Sequence, residues 1–541
     1  MKKHFSPLFA VLLVVCLTLA ASCSKKEEKK VDVKEGEMAA EQVFTFSNGT
    51  EPETLDPHKG TGIPEGNIAY ALFEGLLTLD HETLKPLPGV AERWEISGDG
   101  LTYTFHLRKN ARWSNGDTVD ARDFAYSYER ALRPETAAEY ASMLWYIKNA
   151  KPYNAGELKD FSRVGVRVID DFTISLELVN PTPFFLDVVA FHTLLPVNKE
   201  AVEKHGDQWT RPGKIVTNGP FLLVDWKPRD RVVLVKNPDY WDAENVFLEK
   251  INVLATEEET TYFNMYGANE TEWIRTIPLQ QIPRLKKEGR KDVYLTPFIG
   301  IYYYLLNTTR KPLDDKRVRR ALNMAINKEK LCKYIMTAGE QPADSFVPRI
   351  VPGYTPPKGL PYDPEKARAL LAEAGYPGGK GFPKLSILFN TSDAHKMIAE
   401  VIQSDWKENL NISVDIENKE WKVYLSERQA KNYDIARAGW IGDYIDPKTF
   451  LELFESENGL NHTGWGTKRY DDLITKANRT LDLKKREKIF QEAERFVMTD
   501  EMPVIPIYYY VNKNMLKPWV KNFYFNIRDF HTFKGVYIAP H

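Results

Sequence analysis

The chain has 541 residues, 43% of them hydrophobic and 27% charged, with a formal net charge of -2 and with 27 Phe, 27 Tyr and 12 Trp. Disorder needs fewer apolar residues and more net charge, and nucleic-acid binding needs a concentrated basic surface, so neither class fits. At roughly 100–200 residues per domain the length predicts about three units, and so many rings build a large core, line a wide ligand site, or do both.

The N-terminus reads as an address. Lys2 and Lys3 precede an unbroken apolar run from Leu8 to Leu17, and Leu19-Ala20-Ala21-Ser22 leads into Cys23. A positive start, a short apolar stretch and small residues before the cut predict a secretory signal over 1–22. A cysteine directly after small residues resembles a bacterial lipobox, with Ala20 where Leu is usual, and predicts lipidation at Cys23 and a membrane anchor. The alternative is an uncleaved N-terminal helix, for which the run is short. Ser24 to Ala40 is rich in Lys and Glu, so 23–42 is expected to be a flexible tether. No later stretch has 18 consecutive apolar residues, so nothing else should span a membrane. Cys332 is the body's lone thiol, and there is no CxxC, HExxH or Cys/His cluster, which leaves no metal site and no disulfide.

Further along, Leu101 to Leu107 alternates apolar and polar residues and predicts a half-buried strand. Asn115-Gly116 predicts a turn, and Asp120 a cap for a helix from Ala121 to Leu132. Phe172, Ile174, Leu176 and Leu178 alternate like a strand, as do Val233 and Val235. Asp314 is expected to cap a helix with Val318, Ala321, Leu322 and Ala325 on one face. Asp363-Pro364 should open another, closed by Gly375. Ile412, Val414 and Ile416 predict a strand after a helix ending near Leu410, so from residue 300 onward helices and strands interleave as in a βα-type domain.

Catalytic signatures are missing. GxSxG, GxxxxGKS/T and GxGxxG do not occur, and the Gly-rich Pro377–Gly381 follows a helix instead of opening one, which argues against phosphate cradling. An enzyme is the least supported class.

An ordered series of short strings covers nearly the whole chain. Leu55-Asp56-Pro57-His58 and Leu72-Phe73-Glu74-Gly75-Leu76 come first, then Trp113-Ser114-Asn115-Gly116, Asn218-Gly219-Pro220-Phe221 and Asn237-Pro238-Asp239-Tyr240-Trp241. Asn390 to His395, Ala436 to Tyr444 and Ile505 to Val511 complete it. The series resembles the large extracytoplasmic solute-binding proteins of family 5 that serve oligopeptide ABC importers. The resemblance implies an α/β, two-lobe periplasmic-binding-protein fold (type II) with an extra subdomain, closing over an extended peptide. Lobe one would comprise 43–73, 199–298 and 512–541, the added subdomain 74–198 and lobe two 299–511, in place of three independent domains. It further implies a monomeric substrate-binding lipoprotein, on the periplasmic or extracytoplasmic face, that hands short peptides to the transmembrane subunits of an ABC permease. No cofactor and no nucleic acid enter this picture. The alternatives are a dipeptide or cell-wall-peptide receptor of the same family, or a surface lipoprotein acting as adhesin or peptide sensor.

A receptor for many peptide sequences must grip backbone amides, an α-ammonium and a carboxylate. By resemblance Asp443 takes the ammonium; a turn aspartate is the alternative, a role that suits Asp446 better. Trp440 and Tyr140 match cleft-lining positions, with core packing as their alternative. Arg428, Arg437 and His395 match basic positions near the peptide carboxylate, which an arginine fork can hold bidentately. For both arginines a salt bridge is the alternative, and for His395 a helix-start polar role. Ile63 and Gly439 would contribute backbone contacts. Gly300 and Ile441 stand where a family member has a cysteine pair, Thr61 replaces an acidic group, and Met336 falls near a carboxylate-reading lysine. The triplets Tyr302–Tyr304 and Tyr508–Tyr510 are expected at strand edges near the cleft.

Overall fold

The structure, a computed structural model, describes residues 36–541. The expected signal segment, Cys23 and the first part of the tether lie outside the described residues. The end of the expected tether is not free: Gln42 is 7% exposed, and its side-chain amide donates to the carbonyls of Ala39 and Ile538, both at 2.8 Å.

The backbone of the molecule is an 11-stranded sheet. At one end Val414–Lys419, Leu385–Asn390 and Ile435–Ile441 run parallel, joined by the crossover helices Asp393–Leu410 and Trp421–Gln429. At the other end Val43–Ser47, Lys250–Leu254, Arg231–Lys236 and Phe221–Lys227 form the second half. Two long strands, Val293–Leu306 and Val504–Leu516, run antiparallel between the halves and belong to both. The result is two lobes sharing a central ribbon, and the ladder of that ribbon breaks between Pro297 and Ile301. A separate four-stranded antiparallel sheet, Ala91–Ile96, Thr102–Leu107, Thr173–Glu177 and Val166–Asp170, forms the core of the extra subdomain.

Local signals predict local structure well. Helix Ala121–Leu132 starts where expected: the Asp120 carboxylate accepts from Arg122 N at 2.7 Å, and Asp123 reaches back to the Asp120 N–H at 2.9 Å. Helix Pro364–Glu373 is capped by Asp363. The next case differs by one residue, since Asp315, not Asp314, caps helix Lys316–Met324 by accepting from Arg317 N at 2.8 Å. Ile412 lies before the strand that begins at Val414, although it is 2% exposed. On Arg231–Lys236 the most buried residues are Val232 and Leu234, at 1% and 0%, with Val233 at 7% and Val235 half-buried, so the core-facing alternation is the other one.

The tyrosine triplets also differ from expectation. Tyr302 pairs with Tyr508 in the middle of the central ribbon, where both rings stack at 4.8 Å and are almost fully buried. They are core at mid-strand, not edge.

Buried ion pairs tie remote segments together. The Asp56–His58 string is structural: Arg130 donates to Asp56 at 2.5 Å and to His58 Nδ1 at 2.7 Å, leaving Nε2 to donate to the Leu195 carbonyl at 3.1 Å. Burial and the Arg130 charge push His58 down to about 4, so it is a neutral link. In the C-terminal segment Asp529 bonds Arg275 and, at 3.0 Å, His531. Burial alone would raise the Asp529 carboxyl, but Arg275 and His531 hold it down at about 2. A depressed carboxyl contributes its stability above the ordinary value near 4 and loses it as pH falls toward 2. Asp529→Asn is therefore expected to lower the urea resistance of the first lobe by ~2 kcal/mol at pH 7. The deficit against wild type should shrink between pH 4 and pH 2, and a pH-independent deficit would count against the ion pair as its source.

Candidate functional site

In open α/β sheets ligands sit beyond the carboxyl ends of the parallel strands. Here those ends release Asn390, Ser392 and His395 after Leu385–Asn390, Trp421 after Val414–Lys419, and Asp443 after Ile435–Ile441. Ser392, Trp421 and Asp443 meet Glu259, Gly62 and Tyr140 of the other lobe and its subdomain, so the site is the seam between the lobes.

At one end of the cleft the structure brings Tyr140, Trp440 and Asp443 together. The 3₁₀ helix Glu139–Leu144 of the subdomain presents Tyr140, whose ring stacks on Trp440 at 6.0 Å and whose hydroxyl lies 3.5 Å from Asp443 Oδ1. Phe191 and His192 flank the same ring at 4.9 and 5.5 Å. The Asp443 backbone N–H donates to Thr449 Oγ1 at 3.0 Å, which fixes the loop. Asp443 is 6% exposed, and its Oδ2 and the Trp440 Nε1 have no hydrogen-bond partner among the described residues. Burial pushes the Asp443 carboxyl well above the usual carboxylate range, with Glu452 adding to the effect and Arg528 opposing it. An anion so placed is costly unless a cation meets it.

The other end carries the reverse charge. Arg437 donates from Nη2 to the Tyr510 hydroxyl at 2.8 Å and from Nη1 to Asn390 Oδ1 at 3.3 Å, and its guanidinium lies 5.0 Å from the Tyr302 ring centre. Its Nε is sealed from solvent without a partner, and no carboxylate lies within ion-pair distance among the described residues. His395 Nδ1 is 3.4 Å from the Tyr302 hydroxyl; burial pulls the imidazole well below its ordinary value, helped by Arg437 and Lys513, so it stands neutral. Gly439 belongs to this group for a steric reason, because a Cβ there would lie 2.4 Å from the Tyr510 hydroxyl and 3.2 Å from Arg437 Nη2.

Arg428, on the last turn of Trp421–Gln429, has its guanidinium 5.6 Å from the Tyr424 ring centre, and its charge acts on Glu139 and Tyr140 of the subdomain. Ile63 opens helix Ile63–Leu72 and is half-buried beside Gly62, whose Cα faces Trp421. Gly300 and Ile441 are direct partners in the Val293–Leu306 and Ile435–Ile441 ladder. Sequence reasoning missed Tyr510 and Asn390 as the groups that hold Arg437, and Arg528 as the cation behind Asp443. Asn390 could have been found from its place at the end of a parallel strand; Arg528 carries no local signal. Among the described residues no cluster of three or more His, Cys, Asp or Glu could hold a metal ion, and no helix is long and apolar enough to cross a membrane.

Known proteins share this fold. The family model described as bacterial extracellular solute-binding proteins, family 5 middle, matches residues 85–462. The periplasmic oligopeptide-binding protein OppA of Salmonella typhimurium is 38% identical over 518 residues, 94% of each chain. The Haemophilus influenzae OppA complex with RPPGFSPFR is 35% identical with a TM-score of 0.89, covering 93% of this chain and 100% of that one. The murein tripeptide-binding protein MppA of Escherichia coli, 34% identical, gives 0.90 over 93% of this chain and 100% of its own. Its unliganded open form, 98% covered, gives only 0.62. The fold is thus the two-lobe type of these proteins, and the lobes are set as in the peptide complex, not as in the open form.

Proposed function

The chain belongs to the bacterial extracellular solute-binding proteins of family 5, and from that membership we propose that it captures short peptides between its lobes for an ABC importer. The observation that carries this reading is a pair of uncompensated charges in one cleft: the buried Asp443 carboxyl and the Arg437 guanidinium, neither ion-paired among the described residues. They are six residues apart along a mostly extended segment, at most ~20 Å. A short zwitterionic peptide supplies both missing partners, its ammonium to Asp443 and its carboxylate to Arg437, with Tyr140 and Trp440 packing on its body. Backbone groups near Ile63 and Gly439 would extend the peptide's strand-like bonding. Arg428 and the neutral His395 act at the carboxylate end as well.

The hinge in this reading lies where the chain passes from 298 to 299 and from 511 to 512, beside the break in the central ladder. Lobe one is 43–73, 199–298 and 512–541 with the subdomain 74–198, and lobe two is 299–511. Cleavage before Cys23 and its lipidation would tether a monomer to the outer face of a membrane, within reach of the permease subunits. The role is binding and delivery, not catalysis.

Mass spectrometry of ligands released from purified protein tests the reading. A heterogeneous set of free-amine peptides of two to five residues is expected; only haem, a metal or a bile acid would overturn it. Gly439→Ala is a finer probe. Its Cβ displaces Tyr510 from Arg437, which should weaken binding of a tripeptide by ~1–3 kcal/mol. The carboxamide form of the same tripeptide should lose nothing, as calorimetry would show.

A further inference from the structure

Two carboxyl groups outside the peptide-facing clusters sit in the seam with half of their hydrogen-bonding capacity unused. Glu65, in the first turn of Ile63–Leu72, is 3% exposed. Its Oε1 accepts from the Glu53 N–H at 2.6 Å, whereas Oε2 is sealed off without a partner among the described residues. A Cβ on Gly62 would lie 2.3 Å from that Oε2 and 3.0 Å from the Trp421 ring, so a carboxyl of one lobe and an indole of the other converge on Gly62. The Trp421 Nε1 also lacks a well-formed hydrogen bond, and the indole pulls against the upward push of burial on the Glu65 carboxyl without cancelling it.

Glu259 repeats the pattern at the start of helix Glu259–Gly267, where it is 5% exposed. Its Oε1 accepts from Ser392 Oγ across the seam at 2.8 Å, and its Oε2 has no partner among the described residues. Ser392 is the N-cap residue of Asp393–Leu410 yet makes no capping bond with its side chain; its hydroxyl is committed to the other lobe instead.

The surrounding charges do not rescue either group. Glu53 faces Glu65, with Glu139, Glu420, Lys422 and Arg428 around Glu53 in turn. Asp393, Glu258 and Lys513 face Glu259. Burial dominates and raises both carboxyls to about 7.

Resting on the peptide-capture reading, we infer that Glu65 and Glu259 form a proton-operated latch. Closure of the lobes buries both carboxyls and takes up protons from water, so capture strengthens as pH falls from 8 to 6 and release is favoured as it rises. The sign follows from linkage: a carboxyl whose pKa is higher closed than open favours closure at low pH, and the benefit is lost as pH rises through about 7. Discharge of His395 and His462 on closure works the other way below their ordinary value, so the comparison with variants isolates the latch.

The test uses the full chain, trialanine as probe, and the double variant Glu65→Gln/Glu259→Gln. Each glutamate should contribute about a tenfold loss of affinity between pH 6 and 8, so wild type should lose roughly 100-fold more than the variant. Calorimetry in two buffers of different ionisation enthalpy at pH 7 should show about one more proton taken up by wild type than by the variant. Equal proton counts and parallel pH profiles would overturn the latch while leaving peptide capture intact. Small-angle scattering without peptide decides the matter even if trialanine does not bind. The variant should be more compact than wild type at pH 8, with the difference narrowing as pH falls to 6 and closing only near the ordinary carboxylate value, and identical radii at both pH values would overturn the latch.

Discussion

Asp443→Ala is expected to weaken binding of a free-amine tripeptide by ~3–5 kcal/mol, a loss of roughly two to four orders of magnitude in affinity. The carboxyl is 6% exposed, its Oδ2 has no partner among the described residues, and burial already works against its ionised form. The ligand ammonium would be its first close cation, since Arg528 acts on it without an ion pair. Two features separate this loss from general damage. Removing an unpaired buried acid should leave the unliganded protein as stable as wild type or more so, because no favourable pair is broken. The N-acetylated tripeptide, which carries no ammonium, should bind wild type and Asp443→Ala equally weakly. Calorimetry with both peptides and a thermal melt of the free proteins would decide it; wild type binding both peptides alike would remove Asp443 from this role.

What could be read from the sequence followed the range of each interaction. Helix Ala121–Leu132 was legible because its cap, its preceding turn and its periodicity all lie within residues 115–132. At Asp314-Asp315 the type of signal was right, but two adjacent acids compete for one cap and only backbone geometry selects Asp315. The tyrosine triplets misled because a run of rings reads the same at an edge and in a core, and the pairing of Tyr302 with Tyr508 joins segments about 200 residues apart. The site divides likewise. Residue types at Asp443, Trp440 and Arg437 came from the resemblance, while their missing counter-charges, the steric demand of Tyr510 on Gly439, and the reach of Ser392 to Glu259 arise only when distant segments meet.

The seam offers a second large effect, in a buried group that adjoins Asp443 through Tyr444 and Glu452. Lys448 lies 2.5 Å from Glu452 Oε2 and donates to the Tyr146 hydroxyl at 2.6 Å, while Tyr146 and Tyr444 share a hydrogen bond of 2.8 Å. Phe184 stacks flat on Tyr444 at 4.3 Å and closes the group from the subdomain side. Burial alone would pull the Lys448 ammonium down, yet Glu452 and Tyr146 hold it above the ordinary lysine range, so the ammonium depends on these two partners. Lys448→Met strands Glu452 in the closed seam, at a cost of ~3–5 kcal/mol. In an open form Tyr146 and Phe184 withdraw and water reaches Glu452, so most of that cost falls on closure. The expected result is a peptide dissociation rate raised by two to three orders of magnitude, with the association rate and the melting temperature of the free protein little changed. Lys448→Met/Glu452→Leu removes the stranded charge as well and should recover most of the affinity. Stopped-flow release of a labelled peptide from the three proteins would test this. A single variant that releases peptide at the wild-type rate would mean that the ionic group is incidental to closure and that the Phe184–Tyr444 stack holds the seam by itself.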